Sequence, residues 1–190
     1  MVIKEIKKNF KRYEIVTVDQ VTQGQASSCM LAKKYLEKDD QIFISSCDNF
    51  IEFNIDEYNE KSKKYEVLIF TSPCKKIHLK NPKAYGWIKK NNSGLIKISC
   101  KEPLSSDPTN DRIIIGTFSF QKLDFFTNSI NSLFDKEVKI NNEYYLDMAV
   151  NESISLGFKV DEVIVKNYIS WGSHVELDEW KKNRSKTINR

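Results

Sequence analysis

A turn, a helical stretch and an apolar strand lead in that order to one carboxylate, and this order constrains the fold more than any other feature of the chain. The turn at residues 22–28 contains Gly24, and the strand at residues 41–46 is rich in Ile and Phe. A buried strand of an α/β sheet delivers the residues after its carboxyl end to the rim where ligands bind. Asp48 is therefore predicted to be a site residue.

The first third of the chain alternates apolar strands with amphipathic helices. Strands are predicted at 14–18, 41–46 and 65–70, and helices at 26–36 and 56–63. Parallel strands need crossover connections of this kind, so the alternation favours a mostly parallel sheet.

The remainder of the chain adds a hairpin and further helices. Residues 91–94 tolerate the positive φ of a tight turn and predict a β-hairpin, and the apolar strand at 112–120 is predicted to be central in the sheet. Further elements are helices at 123–133 and 146–156, a strand at 158–165, a loop at 167–172 and a last helix starting at the capping box 173–176. The expected fold class is α/β, with a Rossmann-like mixed, mostly parallel sheet and flanking helices.

Length and composition predict a single globular domain in the cytoplasm. The 190 residues are 40% apolar, no run approaches the length of a membrane helix, and the N-terminus has no signal-peptide layout. Much of the net charge of +4 lies in the segment 181–190, which is expected to be a solvated tail. Neither nucleic acid nor membrane is therefore predicted as a partner.

The cysteines and histidines give no sign of a metal centre. No pair has C-x-x-C spacing and none has a nearby His, so the thiols are predicted to be reduced and structural. Surface or local structural roles are expected for His78 and His174. The four cysteines are Cys29, Cys47, Cys74 and Cys100.

The individual candidates leave structural alternatives open. Asp48 could cap the loop after its strand by accepting hydrogen bonds from backbone amides. Gly86 and Gly116 could be strand glycines, and Lys101 could be a surface cation.

Seven short segments, taken in order, carry a resemblance to a known family. They lie at 22–26, 46–49, 85–87, 101–105, 115–120, 142–147 and 169–173. Together they resemble the sugar nucleotidyltransferases, the NDP-sugar pyrophosphorylase family, which join an NTP and a sugar 1-phosphate into an NDP-sugar and release pyrophosphate. The resemblance implies the nucleotide-diphospho-sugar transferase type of sheet and a role in polysaccharide biosynthesis.

The resemblance also implies a role for each candidate residue. Asp48 would bind Mg²⁺, a hard cation that prefers carboxylate and phosphate oxygens, and Lys101 would meet the sugar phosphate. The metal would offset charge on the phosphate oxygens during in-line attack. The nucleotide would contact Asp19, Gly24 and Gln25, and the sugar would contact Asn49, Gly86, Thr117 and Glu143.

The chain lacks the phosphate-binding loop of that family. Members begin with an apolar strand and a loop of the kind G-x-G-x-R, whereas the six glycines here stand at 24, 86, 94, 116, 157 and 172. Without the loop, the triphosphate loses most of its hydrogen-bond donors and the sheet loses its first strand. We therefore expect an incomplete nucleotidyltransferase, inactive as an isolated chain, whose exposed sheet edge invites self-association or a partner chain. Residues 14–75 would be the remainder of the nucleotide-binding half, 76–180 the sugar-binding half and 181–190 a basic tail.

Two further positions depart from the family pattern. Many members carry a second Asp shortly before the late glycine, where this chain reads Ser-Trp-Gly at 170–172, and a hydroxyl is a poorer Mg²⁺ ligand than a carboxylate. An acidic residue often precedes the Lys that meets the phosphate, where this chain has Cys100. Glu102 is one residue beyond Lys101 and would face the opposite side of a continuing strand.

Two other functions stay open on the sequence alone. One is a non-catalytic remnant that binds an NDP-sugar or a partner chain. The other is a GT-A type glycosyltransferase, which shares the nucleotide-sugar sheet and a metal-binding Asp at a strand end. Ser46 stands where such an enzyme would place the first carboxylate of an Asp-x-Asp motif, which argues against it.

Overall fold

The computed structural model describes residues 2–91, 94 and 96–188, with side chains described from 3 to 182 within these ranges. Within them, six strands form one mixed sheet and two strands form a separate antiparallel ribbon. The sheet contains β1 (Ile42–Ile44), β3 (Val67–Pro73), β4 (Gly86–Lys90), β5 (Ile96–Cys100), β6 (Arg112–Phe120) and β7 (Val160–Ile164), and the ribbon contains β2 (Asn49–Glu52) and β8 (Asn167–Ser170).

Strand β6 is the centre of the sheet, as its apolar sequence predicted. It pairs antiparallel with β3 along one edge and with β4 and β1 along the other, while β3 pairs parallel with β7. Four of the six described sheet strands, β1, β3, β4 and β7, consequently run in one direction, and β5 and β6 run in the other. The predicted α/β fold with a mixed sheet and flanking helices is confirmed. Most of the described sheet strands share one direction, but β6 lies between β1 and β3, so four of the five described neighbouring pairs are antiparallel and only β3 with β7 is parallel.

The described residues form six α-helices. They are α1 (Val2–Asn9), α2 (Gln25–Met30), α3 (Ile55–Ser62), α4 (Leu123–Asp135), α5 (Leu146–Ser155) and α6 (His174–Ile188). The helix predicted at 26–36 ends early at Met30 and continues as a 3₁₀ turn at Lys33–Tyr35. Helix α1 was not predicted.

The strand predicted at 14–18 is wrong. This segment has neither helix nor strand structure, and Val16 and Val18 are 38% and 53% exposed. The alternation of apolar and polar residues gives a strand one apolar face, but a strand also needs a neighbouring strand for its backbone hydrogen bonds. No described strand pairs with this segment.

Two apolar clusters cover the two faces of the sheet. On one face, Phe118 and Phe120 pack with α4 and α5, where Phe126 and Ile130 are buried. The other face is covered in part by α3 through Tyr58, within the cluster that contains the fully buried Trp87. Burial of one such aromatic side chain stabilises the fold by about 2–3 kcal/mol. The sheet is thus held from both sides, and its rim is left for the site.

The predicted β-hairpin is confirmed by the pairing of β4 with β5, which places Gly86 opposite Cys100. Its predicted turn includes residues 92 and 93, which lie outside the described residues, and the amide of Gly94 donates to the carbonyl of Asn91 at 2.9 Å. The predicted tail at 181–190 begins within α6, and residues 189 and 190 are also outside the described part.

Several smaller predictions have clear outcomes. All four cysteines are unpaired, and His78 is a buried local structural residue whose Nδ1 accepts a hydrogen bond from the amide of Lys75. Within the described residues, β1 pairs with β6 alone, so its outer edge has no described neighbour. Association through that edge stays a prediction, as does the division of the chain at 75/76. Among the helices that the structure describes, none has the length and apolar character of a membrane span.

Candidate functional site

A cleft of about 450 Å³ opens at the rim of the sheet, beside the β2–β8 ribbon. Its walls come from β4, β6 and β8, from the loop after β1 and from the first residues of α2, α5 and α6. Five of the nine predicted site residues line this cleft: Gln25, Asp48, Asn49, Gly86 and Lys101. The fold therefore brings together side chains that lie far apart in the sequence.

The ribbon holds Asp48 against the late glycine. Asn49 pairs with Ser170, and the amide of Trp171 donates to the carbonyl oxygen of Asp48 at 2.8 Å. A Cβ added to Gly172 would lie only 2.9 Å from Oδ2 of Asp48, so the glycine keeps space free beside this carboxylate. The segment predicted as a loop at 167–172 therefore forms a strand at 167–170, because its backbone pairs with the residues that follow Asp48.

The donor set at Asp48 fits a weakly ligated Mg²⁺. Among the described residues, no group of three or more His, Cys, Asp or Glu side chains is placed to hold a metal. Asp48 is exposed and lines the cleft, and its Oδ2 and the hydroxyl oxygen of Ser170 both lie near Gly172. Mg²⁺ in proteins often keeps several waters and is bound through one or two carboxylates and substrate phosphates. The arrangement thus suits an ion that phosphate oxygens and waters would complete.

Gly24 has a structural requirement of its own. It precedes α2 with a φ of 106°, and a Cβ at this position would lie 2.7 Å from the carbonyl oxygen of Tyr144. Two backbone hydrogen bonds, from Ala26 to Tyr144 at 3.0 Å and from Tyr144 to Gln23 at 2.8 Å, fix this contact. Close packing against Tyr144 explains the glycine, while the next residue, Gln25, lines the cleft.

Gly86 lies directly beneath a buried carboxylate that sequence reasoning did not select. Asp147, in the first turn of α5, is 9% exposed and lines the cleft, and a Cβ on Gly86 would lie 2.1 Å from its Oδ2. Burial raises the pKa of Asp147 to about 7, against the opposing effects of a hydrogen bond with the Cys100 thiol and the nearby charge of Lys101. The same burial raises the pKa of the Cys100 thiol to about 12. The site therefore contains a carboxyl group that titrates near neutrality.

Lys101 leaves β5 in an unusual backbone conformation. Its φ is 63°, in the left-handed region that non-glycine residues adopt rarely, and its amide donates to the carbonyl of Tyr85 at 3.0 Å. Its Nζ lies 4.8 Å from the centre of the Tyr145 ring. Strained backbone of this kind persists where surrounding structure enforces it, often at binding sites. Lys101 is thus held at the cleft rather than extended into solvent.

The other four predicted residues lie beside the cleft or away from it. Glu143 accepts a hydrogen bond from the hydroxyl of Tyr145, which is a lining residue. Thr117 is fully buried beneath the rim, with its Oγ1 3.5 Å from the hydroxyl of Ser45, so it makes no part of the cleft surface. Asp19 is exposed in the irregular segment before Gly24, and neither of these two lines the cleft.

The start of α6 contributes a polar wall that the sequence indicated only as a capping motif. The predicted capping box is confirmed, since the amide of Glu176 donates to Ser173 Oγ at 3.3 Å. Glu176 Oε1 also accepts from the hydroxyl of Tyr85 at 2.7 Å, and burial is the main cause of the raised pKa of Tyr85. Tyr168 lies nearby, and burial raises its pKa to about 12.

The chain matches one known protein family. The family model "Nucleotidyl transferase" matches residues 3–154. No curated protein sequence is significantly similar to the chain.

Among solved structures, a nucleoside-diphosphate-sugar pyrophosphorylase from Vibrio cholerae RC9 has a TM-score of 0.73 and 17% identity, over 94% of this chain and 73% of that chain. The inositol-1-phosphate CTP transferase from T. maritima has a TM-score of 0.56 and 16% identity, over 81% of this chain and 58% of that chain. HddC from Yersinia pseudotuberculosis complexed with GMP-PN has a TM-score of 0.58 and 13% identity, over 94% of this chain and 71% of that chain. At these identities the likeness concerns the fold.

Proposed function

The chain belongs to the nucleotidyl transferase family, and from this premise we propose that its cleft serves the transfer of a nucleotidyl group to a sugar 1-phosphate. An oxygen of the sugar phosphate would attack the α-phosphorus of an NTP. The bond from that phosphorus to the bridging oxygen would break, and pyrophosphate would leave with the NDP-sugar as the other product. The observation that carries the proposal is the meeting of Asp48, Gly86 and Lys101 in one cleft.

Each of these residues has a distinct part in the proposed reaction. Asp48 would hold Mg²⁺, which supplies positive charge to offset the charge that builds on the phosphate oxygens. Lys101 would place a point charge near the phosphate of the sugar, and its fixed backbone limits how far it moves. Gly86 would contribute backbone to the sugar-facing floor of the cleft, and the space where its side chain would lie is filled by the carboxyl group of Asp147. Positioning and electrostatics, rather than a covalent intermediate, would account for the rate.

The triphosphate would need donors that this sequence does not contain. Its glycines are too far apart for a G-x-G-x-R loop, and Lys101 and Lys80 are the lining residues with a positive charge. We therefore propose that these 190 residues alone bind the sugar side of the substrates without turnover. A phosphate-binding loop from outside these residues would complete the nucleotide side.

A non-catalytic function is the second candidate, and the metal site favours it. Among the described residues Asp48 belongs to no cluster of three or more His, Cys, Asp or Glu side chains, and Ser-Trp-Gly stands at 170–172, where members of the family often have a second acid. A chain that kept the cleft but lost strong metal binding would retain affinity for an NDP-sugar without catalysis. For either function we propose a cytoplasmic location, where NTPs are made and used, and a place in polysaccharide biosynthesis.

A pyrophosphate-release assay tests the reaction. The purified chain is mixed with CTP, UTP, GTP or dTTP, Mg²⁺ and a panel of sugar 1-phosphates, and binding of the same ligands and of NDP-sugars is followed by calorimetry. We expect binding of a sugar phosphate that Mg²⁺ strengthens, and no release of pyrophosphate.

Two variants make the assay specific for the cleft. Asp48→Asn should remove the dependence on Mg²⁺, whereas Asp135→Asn, an exposed aspartate at the end of α4, should leave it unchanged. Turnover by the isolated chain would show that no further phosphate loop is needed. Tight binding of an NDP-sugar without turnover would favour the non-catalytic function, and failure of all these ligands to bind would refute both.

A further inference from the structure

We propose that Asp147 selects the sugar in this cleft by accepting hydrogen bonds from ligand hydroxyl groups. The inference rests on the proposed function, because it assigns the ligand to the sugar phosphate class. Sequence reasoning did not choose this residue, and its place beside Gly86 and Cys100 emerges from the packing of α5 on the hairpin.

The first argument is that Asp147 lacks strong partners. Its side chain is more than nine-tenths buried, and none of the ion pairs among the described residues includes it. The hydrogen bond that it makes is with the Cys100 thiol, which is a weak donor. A carboxyl group has capacity for about four hydrogen bonds, and buried polar groups are usually satisfied. The remaining capacity faces the cleft, so a ligand is the natural source of donors.

The second argument is that the surrounding structure keeps this carboxyl group in place. A Cβ at residue 86 would lie 2.1 Å from Oδ2 and 2.7 Å from Cγ of Asp147, so any other residue there would displace the group. A glycine inside a strand weakens the strand. Here the absence of a side chain on Gly86 leaves the space that the carboxyl group of Asp147 occupies. The carboxyl oxygens consequently form part of the cleft floor.

The third argument concerns the charge of the ligand group. Lys101 already acts on Asp147 as a nearby positive charge. A second cation in the same enclosed space would be repelled by Lys101, whereas neutral hydroxyls donate to the carboxyl oxygens without that cost. The chemistry therefore favours a polyhydroxyl ring over an amine.

A calorimetric double cycle tests the assignment. The native chain and Asp147→Asn are each titrated with a sugar 1-phosphate and with its deoxy analogue. The probes are α-D-glucose, α-D-mannose and α-D-galactose 1-phosphate, each with its monodeoxy analogues, and glucosamine 1-phosphate as the amine-bearing probe, all in the presence of Mg²⁺. Removal of the hydroxyl that meets Asp147 should weaken binding to the native chain by about 10- to 100-fold, as for a hydrogen bond to a charged group. Asp147→Asn keeps one acceptor oxygen but loses the charge, so it should bind the full sugar phosphate more weakly and should show a clearly smaller loss for the same deoxy analogue.

Matched controls separate this role from a general loss of structure. Asp111→Asn changes another aspartate that is buried, at 2% exposure, but does not line the cleft, and it should bind every probe as the native chain does. Methyl phosphate, which has no sugar hydroxyls, should bind the Asp147→Asn variant and the native chain equally. Thermal unfolding confirms that each variant is folded, and Asp147→Ser replaces Asp147→Asn if the latter is not.

The outcomes distinguish this inference from the proposed function. If sugar phosphates bind but Asp147→Asn retains the full deoxy penalty, the inference is wrong and the proposed function stands. If the variant loses affinity for glucosamine 1-phosphate alone, the ligand group is an amine and the hydroxyl assignment is overturned. If no sugar phosphate binds the native chain, the inference falls together with the proposed function.

Discussion

Replacement of Asp147 by Asn should stabilise the protein increasingly as the pH rises. Burial raises the pKa of this carboxyl group from its ordinary value of 3.8 to about 7 in the folded chain. Between these two values the folded state holds a proton that the unfolded state has released, so stability is lost as the pH rises through this window. An amide of nearly the same shape does not titrate and does not suffer this loss.

The size of the effect follows from the shift in pKa. A difference of about 3 units corresponds to about 4 kcal/mol over the whole window, and about 2–3 kcal/mol of it falls between pH 5 and pH 8. The groups that face Asp147 are the Cys100 thiol, Lys101 and the Tyr145 hydroxyl, and the raised pKa values of the thiol and the hydroxyl keep both of these groups protonated over this range. The difference between variant and native chain should therefore report Asp147.

Urea unfolding at several pH values between 5 and 8 measures the difference directly. The native chain alone is not informative, because buried His78 changes stability in the opposite direction over part of the range. Subtraction of the native curve removes that contribution. Asp135→Asn serves as the exposed control. A difference between Asp147→Asn and the native chain that does not change with pH would refute the assignment of a buried carboxyl with a raised pKa.

Three further variants test other features of the structure. Gly86→Ala should lower the free energy of unfolding by about 1–3 kcal/mol in the native background, because the new Cβ would meet the Asp147 carboxyl group, and by clearly less in an Asp147→Ala background. A double-mutant cycle of urea unfolding measures both losses, and an equal loss of stability in the two backgrounds would disprove the close contact. Gly24→Ala should cost about 2 kcal/mol or more, because its φ of 106° and the backbone of Tyr144 both exclude a Cβ, and an unchanged melting temperature would contradict this. Because burial lowers the pKa of His78 to about 4, its contribution to the stability of the native chain should fall by about 3 kcal/mol at most as the pH falls from about 6.5 to 4. The native chain should therefore lose stability relative to His78→Asn in acid-unfolding titrations, because the opposite contribution of Asp147 cancels in this difference, and a difference that does not change with pH would contradict the assignment.

The sequence was sufficient to predict the sheet strands with strong apolar runs. The segments at 41–46, 65–70 and 112–120 form β1, β3 and β6, and the place of Asp48 just beyond β1 follows from this alone. The hairpin and the capping box at Ser173 also have local signals, since turn residues and an Oγ acceptor act within a few positions. Local chemistry therefore accounts for these elements.

The ribbon and the floor of the cleft have no comparable local signal. Strands β2 and β8 are short and stand more than a hundred positions apart, so no local pattern in the sequence predicts their pairing. In the sequence, Asp147 is an ordinary acidic residue in the first turn of a helix, where a negative charge interacts favourably with the helix dipole. Only the packing of that turn on Gly86 shows that the side chain points into the protein, and a glycine within a strand was the one available hint.

The β2–β8 ribbon joins two distant parts of the chain. The match to the family model stops at residue 154, yet Ser170, Gly172 and Glu176 form one side of the cleft. A version trimmed to the matched region would keep most of the central sheet and lose the wall that holds Asp48. The side of the cleft that holds Asp48 thus depends on residues 167–176, which lie outside the region that the family model covers, so the matched region alone would not form the whole cleft.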